Sequence, residues 1–261
     1  MKLSGRHALI TGASHGIGIE IAREFRARGA QVTVLGRDKA RLTAVAEELG
    51  CAPLVVDLED ETALDSVIAD AEHANGPLDV LVNNAGLAYV SPAARSEIGM
   101  ARQLMLVNAV APMELSRQAL PGMLERGSGN IVNVSTLAAV SAVPDISLYA
   151  ASKAALHHYT STAQRELAGS GVRMTLVTLG EVAGTYMMEQ ARLSPVIDAV
   201  SKRLAKVLPV LTPEIVARGI TAAVERDARV VTIPRRLGAA VTLRDLPSTL
   251  QDLAFIGIPR S

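Results

Sequence analysis

The sequence predicts an α/β domain in which a doubly wound parallel sheet is covered by helices on both faces. Three observations lead there. Short runs rich in Val, Ile and Leu recur along the 261 residues without alternating with polar ones, which is how strands buried on both faces read. Longer segments of helical periodicity lie between these runs, and strands joined through helices pair in parallel. Apolar residues make up 49% of the chain and charged residues 20%, enough apolar surface for a sizeable core and too little charge for disorder.

The strands are expected at 7–11, 31–35, 52–56, 78–83, 130–134, 173–178 and 229–232. The helices between them are expected at 16–28, 38–49, 60–74, 100–126 and 147–168, with further helices before the last strand. Residues 186–208 break the rhythm and read as two helices, separated at Pro195, inserted after the sixth strand. Such sheets carry their ligands outside the carboxyl ends of the strands, so this insertion, taken as 186–210, is expected to cover a substrate. No linker, repeat or low-complexity tract divides the chain. Residues 1–261 are therefore read as one domain with a C-terminal tail at 237–261.

Composition removes several function classes. Lys plus Arg total 26 and Asp plus Glu total 26, so the chain carries no electrostatic footprint for nucleic acid. Cys51 is the single cysteine, which leaves no disulfide framework. The five histidines (His7, His15, His73, His157 and His158) show no zinc-ligand spacing, and no metal is expected. No apolar run reaches the roughly 18 residues of a membrane span, and the start lacks the apolar stretch of a signal peptide. The cytoplasm is the expected location.

The first strand runs straight into Thr11-Gly12-Ala13-Ser14-His15-Gly16-Ile17-Gly18, and a helix pattern follows. Glycines let backbone approach a pyrophosphate, and the N-terminus of the next helix offers free N–H groups and partial positive charge. This strand–loop–helix context marks a Rossmann-type dinucleotide site, although the spacing is G-x-x-x-G-x-G. Here the chain resembles the short-chain dehydrogenase/reductase family over residues 3–235. Thr11, Gly12, Gly16, Ile17 and Gly18 match that family's cofactor signature, and Asn83-Asn84-Ala85-Gly86 matches its second signature. Asp57, ending the third strand, matches its adenine contact. The resemblance implies an oxidoreductase that exchanges hydride between a nicotinamide cofactor and a carbonyl or alcohol carbon.

A Rossmann unit that prefers the unphosphorylated cofactor places an acid after its second strand. That position is Gly36 here, and Arg37 follows it, able to hold a 2′-phosphate through charge-assisted bonds. Ser14 adds a hydroxyl, and His15 stands where similar proteins carry Lys or Arg. NADP(H) is the expected cofactor. NAD(H) is the alternative, through Asp38, if the strand ends one residue later.

Tyr149 and Lys153 are four residues apart and share one face of a helix. Ser135 follows the fifth strand, 14 residues before Tyr149. The resemblance assigns catalysis to Ser135, Tyr149 and Lys153, with Asn108 as a fourth member anchoring a relay water. A phenol titrates near 10, so the Lys153 ammonium is expected to favour the phenolate and lower that pKa. Tyr149 then exchanges a proton with the substrate oxygen while Ser135 holds it. Tyr149 and Lys153 also count among the cofactor contacts, Lys153 through the nicotinamide ribose.

After the sixth strand the chain departs from the family pattern. Leu179 replaces the usual proline, and an extra residue separates Val182 from Thr185, the two expected nicotinamide contacts. Paired Met187 and Met188 in the insertion suit the adaptable wall of an apolar substrate site. The basic, apolar tail is open to two readings, a membrane-surface contact and docking on a sister subunit. The resemblance implies a homodimer or homotetramer. The competing class is a catalytically silent dinucleotide-binding regulator, which the fold alone permits.

Overall fold

The computed structural model describes residues 1–205, 209 and 211–238. Its strands are β1 (His7–Thr11), β2 (Gln31–Gly36), β3 (Ala52–Val55), β4 (Val80–Asn83), β5 (Gly129–Thr136), β6 (Val172–Leu179) and β7 (Val230–Ile233). They form one parallel sheet in the order β3-β2-β1-β4-β5-β6-β7. The chain winds outward in one direction through β3 and in the other through β7, so the order reverses between β1 and β4. A crevice opens at such a switch point, and ligands bind there.

The helices are α1 (Ile17–Ala27), α2 (Lys39–Leu49), α3 (Val67–Asn75), α4 (Met100–Met105), α5 (Ala111–Glu125), α6 (Ser147–Glu166), α7 (Tyr186–Ala191), α8 (Pro195–Leu204) and α9 (Pro213–Glu225). Alternate strand residues feed two core layers. Ile10, Val34, Val82 and Val132 pack with Ile21 and Phe25 of α1 and Ile220 of α9. Leu9, Leu35, Leu81 and Ile131 pack with Ile68 of α3, Leu115 of α5 and Ala163 of α6. The inner strands are thus buried on both faces as the sequence led one to expect, whereas the edge strands β3 and β7 stay partly exposed, with Val55 and Val230 facing solvent. Roughly 25 cal/mol per Å² of buried apolar surface drives the layers together.

Local signals end the elements where the chemistry demands. Asp38 caps α2, its Oδ1 accepting the Arg41 amide at 3.1 Å, and Gly50 closes that helix at φ +63°. Pro195 and Pro213 sit in the first turns of α8 and α9. Two helices, α7 and α8, stand where the insertion over 186–210 is expected; residues 206–208 and 210 of it lie outside the described residues. Strands β5 and β6 run further than expected, and β4 begins two residues later.

The expected helix over 100–126 is broken. A π-helical turn, Leu106–Val110, separates α4 from α5. Pro112 supplies the reason: it has no N–H to give the carbonyl of Asn108, four residues earlier, so regular α-helical bonding fails there. Residues 239–261, which hold most of the expected tail, lie outside the described residues. Among those described, no helix is long and apolar enough to cross a membrane.

Candidate active site

The glycine loop is held by the loop after β4. Thr11 Oγ1 accepts the amides of Asn84 at 3.1 Å and Ala85 at 3.0 Å, while Asn84 Nδ2 donates to the Thr11 carbonyl at 3.0 Å. A Cβ on Gly12 would lie 2.8 Å from Ala85 Cα, and Gly12 has φ +69°, so only glycine fits there. Gly16 stands at the N-cap of α1, where no side chain bonds the helix amides. Those N–H groups are free to receive a phosphate, and the loop has the shape of a pyrophosphate cradle. Thr185 closes the cradle from above, its methyl 3.9 Å from where a Gly16 Cβ would stand.

Ser135, Tyr149 and Lys153 meet at one cavity of about 270 Å³ at the carboxyl edge of the sheet. Ile17, Asn84, Gly86, Val182 and Thr185 line the same cavity. Ser135 is 2% exposed, and among the described residues nothing bonds its hydroxyl. A buried polar atom without a partner is uncommon and calls for an explanation. Lys153 Nζ donates to the Val134 carbonyl at 3.1 Å. A Cβ at Gly86 would stand 3.2 Å from that ammonium and 3.1 Å from Asn108 Oδ1, so the bare glycine brings the three together.

The Asn108 side chain is fully engaged. Its Oδ1 accepts the Leu87 amide at 2.8 Å, and its Nδ2 donates to the Leu87 carbonyl at 2.8 Å and to Ser152 Oγ at 2.9 Å. It ties the loop after β4 to α6.

Electrostatics differ from the sequence expectation in one respect. Burial pushes the Tyr149 hydroxyl up to about 12, against a smaller pull from its hydrogen bond with Thr136. Burial likewise brings Lys153 down to about 8. Desolvation disfavours both charged forms, and the Lys153 ammonium donates to the Val134 carbonyl. The expected lowering of Tyr149 by Lys153 is therefore absent from the protein on its own.

At the other end of the crevice, Ser14 Oγ lies 3.0 Å from His15 Nδ1. Arg37 is exposed, and its Nη1 pairs with Glu59 Oε1 at 2.8 Å and lies 3.8 Å from Asp57 Oδ2. Asp57 also accepts the Glu59 amide at 3.0 Å. Asp38, the alternative ribose acid, is committed to capping α2 and pairs with Arg41 at 3.2 Å.

Sequence reasoning missed several residues at and around the cavity. Thr136, next to Ser135, bonds Tyr149. Glu181 lines the cavity and is ion-paired with Arg192 beyond α7. Asp145, which does not itself line the cavity, accepts Ser194 Oγ at its carboxylate at 3.0 Å and the Ser91 amide at its backbone carbonyl at 2.7 Å, tying together the segments before α6 and α8 and the loop after β4. In the sequence Asp145 shows only that it follows Pro144; its φ of +66° is visible in the structure alone. The other two depend on contacts the sequence does not display. Among the described residues no cluster of His, Cys, Asp and Glu has the makings of a metal site.

Comparison with known proteins agrees with this geometry. The family model described as short chain dehydrogenase matches residues 6–195. The ketoacyl reductase HetN of Nostoc is 33% identical over 236 residues, 88% of this chain and 79% of that protein. A galactitol 2-dehydrogenase (L-tagatose-forming) of Cereibacter sphaeroides is 38% identical over 70% of this chain and 73% of its own length. Among solved structures, one from Beutenbergia cavernae with NADP bound at low occupancy superposes with TM-score 0.79 at 31% identity. It covers 89% of this chain and 97% of that one. A metagenomic short-chain oxidoreductase in complex with NADP gives TM-score 0.66 at 34% identity, covering 77% and 91%. Fold and site thus define a dinucleotide-dependent oxidoreductase acting between CH–OH and C=O. The chain belongs to the short-chain dehydrogenase family.

Proposed function

We propose that the protein moves a hydride between NADP(H) and the carbonyl or secondary-alcohol carbon of a small apolar substrate. One observation carries this reading: Ser135, Tyr149 and Lys153 converge on a single cavity below the glycine loop, and the Ser135 hydroxyl is buried there without a partner. When bound, the dinucleotide supplies or accepts the hydride. Gly12, Gly16, Ile17 and Gly18 cradle its phosphates, with Asn84, Ala85 and Gly86 bracing the loop, and Val182 and Thr185 flank its nicotinamide end. Ser14, His15 and Arg37 take the 2′-phosphate, and Asp57 takes the adenine. Asp38, spent on its helix cap, is a poor candidate for the ribose acid of an NAD(H) enzyme.

Ser135 donates a hydrogen bond to the substrate oxygen. Tyr149, kept protonated by burial, hands its proton to that oxygen during reduction and recovers it during oxidation. Lys153, held at the cavity by the Val134 carbonyl, would orient the nicotinamide ribose. Asn108 holds the loop and α6 in register. Leu137, Val143, Ile146, Met187, Met188 and Val200 make the wall apolar, which supports an apolar substrate. Exposed Met105, Val110 and Leu124 along α4 and α5 support association into a homodimer or homotetramer.

Titrating the purified protein with NADPH and with NADH tests the cofactor, and a panel of apolar ketones then tests turnover. Tighter NADPH binding with ketone reduction is expected. Binding of neither dinucleotide would overturn the reading.

A further inference from the structure

We propose that Glu59 sets how strongly the protein prefers the phosphorylated dinucleotide, by holding Arg37 until a 2′-phosphate competes for it. The inference rests on the reading of Arg37 given above. Arg37 leaves the end of β2 directly after Gly36, whose backbone lies against the glycine loop: a Cβ there would be 3.4 Å from Ser14 Oγ. The guanidinium therefore starts beside the cradle, yet its Nη1 is taken by Glu59 Oε1 at 2.8 Å.

Glu59 is the anchored member of that pair. Its second oxygen accepts Gln103 Nε2 from α4 at 2.6 Å, so the carboxylate is gripped from two sides. Arg37, with a side chain 59% exposed against 28% for Glu59, is the member free to turn. Asp57 adds a second carboxylate 3.8 Å from the same nitrogen. Two anions thus stand where a dianionic phosphate would come for one arginine. A phosphate gains its charge-assisted bonds only by displacing the Glu59 pair and by approaching both carboxylates. NADH makes no such demand, so Glu59 acts on the choice between cofactors and not on dinucleotide binding as such. An exposed ion pair shifts an equilibrium by up to about 5-fold, which fixes the size of the effect.

The test is a cycle of four proteins: wild type, Glu59→Gln, Arg37→Ala and the double variant. Each is titrated with NADPH and with NADH at low salt. Glu59→Gln keeps one acceptor oxygen for Gln103 and replaces the other with an amide NH2 that cannot accept from Arg37, so the charge and the hold on Arg37 are removed together. It is expected to tighten NADPH about 3- to 5-fold while NADH moves less than about 1.5-fold, and the gain is expected to shrink in the Arg37→Ala background. The NADPH gain is also expected to fade at high salt. If Arg37→Ala weakens NADPH selectively but Glu59→Gln leaves both cofactors unchanged or moves them equally, the role of Glu59 is refuted and that of Arg37 stands. If Arg37→Ala leaves the preference unchanged, the reading of Arg37 falls and the role of Glu59 falls with it.

Discussion

Replacing Ser135 by alanine is expected to cost activity without costing stability. The hydroxyl is out of reach of solvent and bonds nothing among the described residues, so folding strips its hydration and returns no hydrogen bond. A buried hydroxyl in that state costs about 1–3 kcal/mol. Removing one oxygen leaves a void too small to offset much of that. At roughly this chain length each kcal/mol moves the thermal midpoint by about 2–4 °C. The midpoint of Ser135→Ala is therefore expected to stay level or rise by several degrees. Turnover behaves oppositely. A preorganised donor to a developing oxyanion is worth about 10²–10³ in rate, and that much kcat is expected to be lost. Differential scanning calorimetry of the protein without cofactor, paired with steady-state ketone reduction, reads both quantities. A midpoint lowered by more than about 4 °C would mean the hydroxyl serves the fold. A kcat within about threefold of wild type would mean it does not hold the substrate.

Two further outcomes follow from other sites. His7 is buried, with Nδ1 at 2.8 Å from the Gly76 carbonyl and Nε2 at 2.9 Å from Thr33 Oγ1, and burial lowers its pKa from 6.5. The unfolded chain then binds more protons than the folded one just below pH 6.5, so the contribution of His7 is complete above that pH and is lost as the pH falls below it. Urea midpoints measured from pH 8 to pH 5 are expected to show the decline, and a His7→Gln variant to show less of it; equal declines in the two proteins would count against His7. Asp38→Ala is expected to lose about 1 kcal/mol with its helix cap and to leave the ratio of NADPH to NADH affinity unchanged, whereas a selective loss of NADH binding would make Asp38 a ribose ligand after all.

What the sequence displays, and what it hides, divides along the range of the interactions. The strands are legible because a parallel sheet buries both faces and leaves unbroken apolar runs such as Ala8-Leu9-Ile10. The cradle is legible because backbone contact with Ala85 admits only glycine at position 12. Ser135, Tyr149 and Lys153 lie close in sequence across one strand–helix unit, and the fold brings them to one cavity. The π-helical turn escapes a periodicity reading, although Pro112, four residues after Asn108, is its visible cause. The tie between Arg37 and Glu59 spans 22 residues and that between Glu59 and Gln103 spans 44, and nothing in either local pattern announces them. The height of the Tyr149 pKa was hidden for the same reason. It depends on how completely the surrounding loops exclude water.

The most direct test of the account is the Tyr149→Phe variant, assayed for NADPH-dependent ketone reduction and for NADPH binding in the same preparation. The ring stays and only the proton goes. Turnover is expected to fall by at least about 10²-fold with the NADPH dissociation constant within a fewfold of wild type. Turnover near the wild-type rate would contradict the account, because the proton would then reach the substrate by another route.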